Sequence, residues 1–526
     1  MNNDYNTDYQ YDRCSSRGIC SINPATASLL EVIILYLKYS AFFLSIPELQ
    51  EKLDKRLNFL IINTISIISS DYEISEMNFN KISATFKREL PKLISEYKNI
   101  CKININKKIL SESEKLLECK DDINSYIRLG EKELNKKITS VSESIRSLRK
   151  LLFILVKSLC INILIGTDYG INTEKEQNSI LKVLSFLNDT QNDKEKLTGF
   201  LNETAQNDCL LMKNIRKTQA EEYGEPTEKE VSFSTRKGKA VLVIGSNLKE
   251  LEIILEKLKN NNIDVYTHDN MILAHTFPKF SEYKNLVGQF GKGMENCLLD
   301  FSTFPGPIIL TKHSLYNVEN LYRGRLYTTD FAYSKGVVPI INNDFSKVIK
   351  SAEDSKGFKT GKTCHAEKVG FSYSKIIYKI QEKLSNEQFA HVIILGTNGY
   401  SQDEREYFRT FFSHIPENVF IITASCAKEA ENIISLNTEN EISVLLNLYD
   451  DVLSKLNQSI TFFFPICTRH TPSFLINAAL LKKSNLFIGK WDKTVLNPVA
   501  YQTLEKIYNI KEITSPKKDI SFITNI

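Results

Sequence analysis

The residues able to hold a metal or act as nucleophiles are thinly spread: ten cysteines and seven histidines in 526 residues. Only Cys14 and Cys20 are close neighbours, and a Cys-x5-Cys pair supplies two soft anionic donors, half the set a four-iron cluster requires. The other cysteines are scattered along a long chain, which argues against a disulfide framework and for reduced thiols, mostly in cores. His268 and His275 stand seven apart just after a short apolar run, a spacing open both to a metal pair and to structural histidines bonded to loop backbone. Gly357-Phe-Lys-Thr-Gly361-Lys362-Thr363 has the flavour of a phosphate loop, but its glycines are one residue too close and no strand leads into it, so it reads as an exposed polar loop. The glycines from Gly288 to Gly293 lack the strand-to-helix setting of a dinucleotide site. Neither a His-Glu-x-x-His zinc motif nor a Gly-x-Ser-x-Gly nucleophile elbow is present.

Short apolar runs are the elements that must position these groups. Val241–Gly245, Pro307–Leu310, Val337–Ile341, Val392–Gly396, Val419–Thr423, Ile460–Phe464 and Leu486–Gly489 are separated by helical segments, the pattern of buried parallel strands in βαβ units. Ligands of such sheets bind beyond the carboxyl ends of the strands. The residues there are Ser246, Asn247, Lys312-His313-Ser314, Thr397-Asn398, Ser425-Cys426 and Ile466-Cys467-Thr468, rich in hydroxyls and amides and poor in metal ligands.

The front of the chain is different. Glycine and proline number ten in residues 1–235 and 23 in the remainder, so long helices are expected first. Asn23-Pro24 offers an N-cap with proline at the first helical position, and Ser28 with Glu31 forms an alternative capping box ahead of a long buried helix. Helical patterns recur through 47–68, 77–101, 108–152 and 181–215, and the unpatterned stretch Thr218–Gly238 is the linker candidate. The expected fold is multidomain: a helical domain carrying the cysteine pair (1–235), then two α/β domains with mostly parallel sheets (236–367 and 368–526), the polar stretch 346–368 separating the sheets.

Composition excludes several classes. Hydrophobic residues at 42% and charged residues at 25% are ordinary for a globular chain. A net charge of +4 from 67 basic and 63 acidic residues gives no concentrated footprint for nucleic acid. The polar, acidic start points to the cytoplasm. The apolar stretches Ala25–Ile46, which contains Glu31 and Lys38, and Leu151–Ile165, which contains Lys157, read as buried helices and not as membrane spans.

Val241-Leu-Val-Ile-Gly-Ser-Asn followed by Asp264-Val-Tyr-Thr-His-Asp-Asn-Met-Ile-Leu-Ala-His resembles the start of the second domain of the hybrid-cluster, hydroxylamine reductase-like proteins, relatives of the carbon monoxide dehydrogenases. The likeness continues through Tyr283-Lys-Asn-Leu-Val-Gly, Phe304-Pro-Gly-Pro-Ile-Ile-Leu-Thr and Arg325-Leu-Tyr-Thr-Thr, then more weakly to Asn485-Leu-Phe-Ile-Gly. The resemblance implies an iron–sulfur–oxygen cluster between the α/β domains, held by one His, two Glu and four Cys and used to reduce hydroxylamine or nitric oxide. The positions it marks have mostly changed type. The family's His falls on Ser246, its first Glu on Asn270, its first Cys on Ser314 and its persulfide Cys on Thr397; the next Cys is kept as Cys426, the following one falls on Thr438, and the second Glu and a nearby Lys fall on Thr468 and His470. Neutral hydroxyls and amides do not balance ferric charge, so a hybrid 4Fe-2S-2O cluster is not expected, although Cys467 and His313 leave room for a smaller, rebuilt site.

The family also binds a cubane near its N-terminus, and here only Cys14 and Cys20 match its four cysteines. The resemblance therefore implies either two unligated thiols or a 4Fe-4S cluster shared across a homodimer, as carbon monoxide dehydrogenases share one. Two functions stay open: an oxidoreductase of hydroxylamine reductase type, fed by a redox electron donor, and a non-catalytic descendant that binds a small ligand or senses redox state.

Overall fold

The computed structural model describes residues 24–50, 56–68, 76–101, 106–189, 193–291, 296–312, 314, 320–330, 333, 335–385, 389–396, 402–424, 431–436, 442–455, 458–465, 470–481, 484–489 and 498–524. They fall into two compact units. One is built from the helices up to Asp208, without the turn Asp168–Ile171, together with residues 498–503; the other takes the rest.

Proline at the first position starts the helix Pro24–Leu44, as the sequence suggests, while Ser28 lies inside it and donates to the Pro24 carbonyl at 2.9 Å instead of capping. Among the described residues this is the one helix long and apolar enough to cross a membrane, yet 78% of its apolar window is buried. It packs against the helices Arg56–Ile67, Glu76–Ile100, Ile123–Ser140 and Glu174–Phe186, as a helix apolar on all sides must. Gly130 permits the closest approach, because a Cβ there would overlap the Ser28 carbonyl. The stretch 108–152 is broken into Lys107–Leu117, Ile123–Ser140 and the start of Glu143–Asp168, with Asn106 and Asp122 as side-chain N-caps. Buried Asp208, on the helix Lys194–Tyr223, accepts from the Ser158 hydroxyl and from Asn162 Nδ2 at 2.6 Å.

The linker reading of Thr218–Gly238 fails at both ends. That last helix runs on to Tyr223, and β1 (Lys229–Ser232) follows, pairing antiparallel with β8 (Ala366–Val369). The remaining strands form two parallel six-stranded sheets. In the first, β2 (Lys239–Ile244), β3 (Ile263–His268), β4 (Leu286–Gln289), β5 (Ile308–Leu310), β6 (Leu326–Thr328) and β7 (Val337–Pro339) are ordered β4-β3-β2-β5-β6-β7. In the second, β9 (His391–Leu395), β10 (Val419–Thr423), β11 (Ile433–Ser435), β12 (Ser459–Phe464), β13 (Ser484–Ile488) and β14 (Ile510–Glu512) are ordered β11-β10-β9-β12-β13-β14. All seven strands read from the sequence are present, and the two sheets repeat one doubly wound order that no sequence repeat announces.

Burial on both faces explains the unbroken apolar runs. In β2, Val241 and Val243 pack with Leu251, Ile254 and Leu255 of the helix Leu248–Leu258. Ala240, Leu242 and Ile244 point the other way, into a cluster with Phe301 and Phe304.

Candidate functional site

A doubly wound sheet reverses direction once, and for the first sheet that switch lies between β2 and β5. Ile244 is the last residue of β2 to pair, with His268 of β3 on one side and Leu310 of β5 on the other. Two residues further on, Ser246, Asn270 and Lys312 leave the three strands at the same level. Gly245, at φ 121°, makes the turn: a Cβ there would overlap the hydroxyls of Thr311 and Ser314. Thr311 Oγ1 donates to the Ile244 carbonyl at 2.8 Å and lies 3.1 Å from Ser314 Oγ, which reaches the same carbonyl at 3.3 Å. Three of the residues singled out in the sequence, Ser246, Asn270 and Ser314, are thus brought to one strand edge. Ser246 is exposed, and the side-chain oxygen of Asn270 is buried without a hydrogen-bond partner.

A buried network holds Asn270 in place. Asp269 takes a left-handed φ of 55°, and Gln289 Nε2 donates to its carbonyl at 3.3 Å while Gln289 Oε1 accepts from Thr267 Oγ1 at 2.6 Å. His275 Nε2 lies 2.9 Å from the same threonine hydroxyl, and burial lowers its pKa to about 4, so the ring is neutral. His268, fully buried, contacts Asp300 Oδ2 through Nε2 at 3.1 Å. The two histidines are structural supports with different partners, not a metal pair. The glycines in and just after β4 serve packing: a Cβ on Gly288 would overlap the Ser232 carbonyl, and one on Gly291 the Asp300 carboxylate.

An ion triad completes the edge. Lys312 Nζ lies 3.1 Å from Asp168 Oδ2 and 3.4 Å from Glu250 Oε1. Glu250 Oε2 accepts from the Lys312 backbone N–H at 2.8 Å and from Thr329 Oγ1 at 2.7 Å, and Asn247 Nδ2 donates to Asp168 Oδ2 at 3.4 Å. Burial pushes the Glu250 carboxyl above the ordinary range, against the pull of Lys312. Burial alone would lower the Lys312 ammonium, but Glu250 and Asp168 outweigh it and hold it above the usual lysine value. Asn247 also caps the helix Leu248–Leu258, accepting from the Glu250 N–H at 3.2 Å. Lys312 stood among the strand-end residues of the sequence. Asn247-x-x-Glu250 was readable as a capping pair, but nothing local pointed to Asp168.

His470 sits after β12 at the N-cap of the helix Thr471–Leu480, at the carboxyl edge of the second sheet. Thr397, Cys426, Thr438 and Thr468, as well as Cys14 and Cys20, lie outside the described residues, as do His313 and Cys467.

Residues 10–443 match the family described as Prismane/CO dehydrogenase. The chain belongs to that family. A hydroxylamine reductase from Methanococcus vannielii is 28% identical over 446 residues, covering 82% of this chain and 80% of its own. Another, from Methanocella arvoryzae, is 23% identical over 542 residues and covers 97% of both chains. Among solved structures, carbon monoxide dehydrogenase IV from Carboxydothermus hydrogenoformans aligns over 96% of this chain and 88% of that one with TM-score 0.47 and 12% identity, too loose a likeness to bear on the site.

Membership implies iron–sulfur clusters. The described residues do not fit the hybrid cluster. At the β2, β3 and β5 ends its donors would be a serine, an asparagine and a serine, all neutral, with an ammonium beside them. Among the described residues no group of three or more His, Cys, Asp or Glu side chains could hold a metal ion. What the edge can do is hydrogen-bond: it offers the exposed Ser246 hydroxyl and the unpartnered side-chain oxygen of Asn270, beside a lysine already paired with Asp168 and Glu250.

Proposed function

We propose that this chain is a divergent iron–sulfur protein of hydroxylamine reductase ancestry whose hybrid-cluster site has become a metal-free polar pocket for a small hydrogen-bonding ligand. The observation that carries the reading is the donor set at the first switch point: Ser246, Asn270 and Ser314 on one edge, with Lys312 locked between Asp168 and Glu250. Iron in a cluster needs anionic sulfur, imidazole or carboxylate around it. Here the nearby carboxylates are already committed to a lysine.

The redox capacity of the lineage would then rest on Cys14 and Cys20, which we assign to a 4Fe-4S cluster on the axis of a homodimer, serving a cytoplasmic redox sensor supplied by an electron donor. The matching two cysteines of the family's four, and the implausibility of a cubane on two thiolates, support this assignment. Replacing Cys14 or Cys20 by Ser in anaerobically purified protein should abolish the brown absorbance and weaken dimerisation together. A colourless wild-type dimer indifferent to both changes would end the assignment. The second reading, a reductase with a rebuilt iron site, is favoured by the one retained thiol of the hybrid-cluster set, Cys426. Cys426→Ala should leave bound iron unchanged if the site is degenerate; loss of iron would support the reductase.

A further inference from the structure

The overall charge of the chain conceals a concentrated basic surface. Segments 233–239 and 356–365, more than a hundred residues apart in sequence, are joined as an antiparallel ribbon beyond β1 and β8. Thr235 and Lys362 exchange backbone hydrogen bonds of 2.9 and 3.1 Å, and Gly238 and Phe358 exchange bonds of 3.0 and 2.8 Å. The two segments carry Arg236, Lys237, Lys239, Lys356, Lys359 and Lys362 and no acidic residue, so without them a chain of net charge +4 would be acidic. All but Lys239 are exposed, Arg236 has Asp264 at 4.0 Å, and Lys237, Lys356, Lys359 and Lys362 form no ion pair with any of the described residues. Lys239 is spent on the Glu353 and Ser355 carbonyls, which close the helix Ser346–Asp354.

At Ser355, next to the ribbon, the same surface continues into an open depression of about 590 Å³. Exposed Lys347 and Lys350 stand on its rim, opposed by Asp354, while Arg325 at its wall is committed to the carbonyls of Phe301, Phe304 and Gly306. On the ribbon, the His365 ring stacks on Phe233 with centroids 4.7 Å apart and planes 13° from parallel; its side chain is 54% exposed, and its Nε2 lies 2.9 Å from Glu367 Oε1 at the ring edge, which leaves the outer face of the ring open. Gly238, Gly306 and Arg325 precede β2, β5 and β6, so this surface lies at the amino ends of the strands, away from the switch-point site. Its ligand is independent of whatever that site takes.

Two kinds of polyanion could answer such a charge, and the residue types separate them. Protein interfaces are depleted of lysine and need an aromatic or aliphatic core, whereas none of the exposed large apolar residues lies in either segment or on the cavity wall. Lysines spread along an open ribbon, with a flat ring between them, suit phosphates and a stacked base. We infer that the ribbon and the cavity rim bind the phosphate backbone of single-stranded nucleic acid, with His365 on Phe233 as the stacking platform.

Fluorescence anisotropy of the full chain with labelled oligo(dT) and oligo(U) tests this. Each phosphate neutralised on a single strand contributes about 0.7 to the salt slope, so contacts by four or five lysines predict a log–log slope of about −3. The triple variant Lys356→Glu, Lys359→Glu, Lys362→Glu should lose at least about tenfold in affinity and flatten the slope by about 2, with an unchanged thermal midpoint because the residues are exposed. His365→Ala should weaken oligonucleotide binding several-fold while leaving binding of inorganic polyphosphate, which has no bases, untouched. Absence of binding at about 50 mM salt, or indifference to the triple variant, would overturn the inference. So would polyglutamate binding as tightly as the oligonucleotides with no effect of His365→Ala, an outcome that would assign the surface to an acidic protein.

Discussion

Replacing Lys312 by Met tests the switch-point electrostatics, because it removes the ammonium from two carboxylates and leaves the aliphatic stem. Breaking a fully buried pair costs about 3–5 kcal/mol and an exposed one about 0.2–1. The side chains of Lys312, Asp168 and Glu250 are 34%, 28% and 8% exposed, which places the site between these limits, and Glu250 keeps its bonds from the Lys312 N–H and Thr329. After discounting for solvent screening, the cost should be about 1–2 kcal/mol at neutral pH, a fall in the melting midpoint of about 2–3 °C for a unit of this size. The pH dependence identifies the cause. Glu250 has a raised folded pKa, so its favourable contribution is complete below its unfolded value and is lost as pH rises through the folded value. Without Lys312 that folded pKa rises further, so the deficit of the variant should be largest above it and shrink as acid protonates Glu250. Scanning calorimetry of wild type, Lys312→Met and Lys312→Met/Glu250→Gln at about pH 5 and about pH 8 reads this, with the double variant recovering most of the loss at the higher pH. Equal stability of wild type and Lys312→Met at the higher pH, or a double variant in which the two costs simply add, would show that Lys312 does not offset the Glu250 charge.

Other expectations follow from the same region and from the helical unit. Gly245→Ala puts a Cβ into the Thr311 and Ser314 hydroxyls at a φ of 121° and should cost about 1–3 kcal/mol in strain alone, visible as a lower midpoint; a neutral substitution would mean the turn is misplaced. His275, with a folded pKa of about 4, contributes stability that is present above its unfolded pKa and lost as pH falls from about 6.5 toward about 4, on the order of 3 kcal/mol in all. His275→Gln should flatten that acid loss, and an unchanged profile would contradict the assignment. Asp208→Ala leaves the Ser158 hydroxyl and the Asn162 amide without their acceptor inside the helical unit, for a cost of about 2–4 kcal/mol in denaturant titration followed by circular dichroism.

The sheets were legible where strands are long and buried on both faces, because β2, β9, β10, β12 and β13 are uninterrupted apolar runs. β5 and β7, three residues each, show because they are wholly apolar, whereas the equally short β6, β11 and β14 each carry a polar residue (Thr328, Ser435, Lys511 and Glu512), and β1 and β8 are polar ribbon strands with no buried face to pattern them. Ser246, Asn270 and Ser314 could be found because each follows a strand end and matches a ligand position of a known family. Asp168 could not: it meets Asn247 and Lys312 across 79 and 144 residues, and ends a helix whose pattern says only that it is buried. The basic ribbon was hidden for the same reason, since neither segment is concentrated enough alone to stand out against a chain of balanced charge.

Whether the switch-point edge still carries iron is read from the iron and acid-labile sulfide per chain in protein purified without oxygen. A degenerate edge with one four-iron cluster for each pair of subunits gives about two irons per chain, lost on Cys14→Ser and unaffected by Cys426→Ala. Six or more irons per chain, or iron that survives Cys14→Ser and disappears with Cys426→Ala, would contradict it.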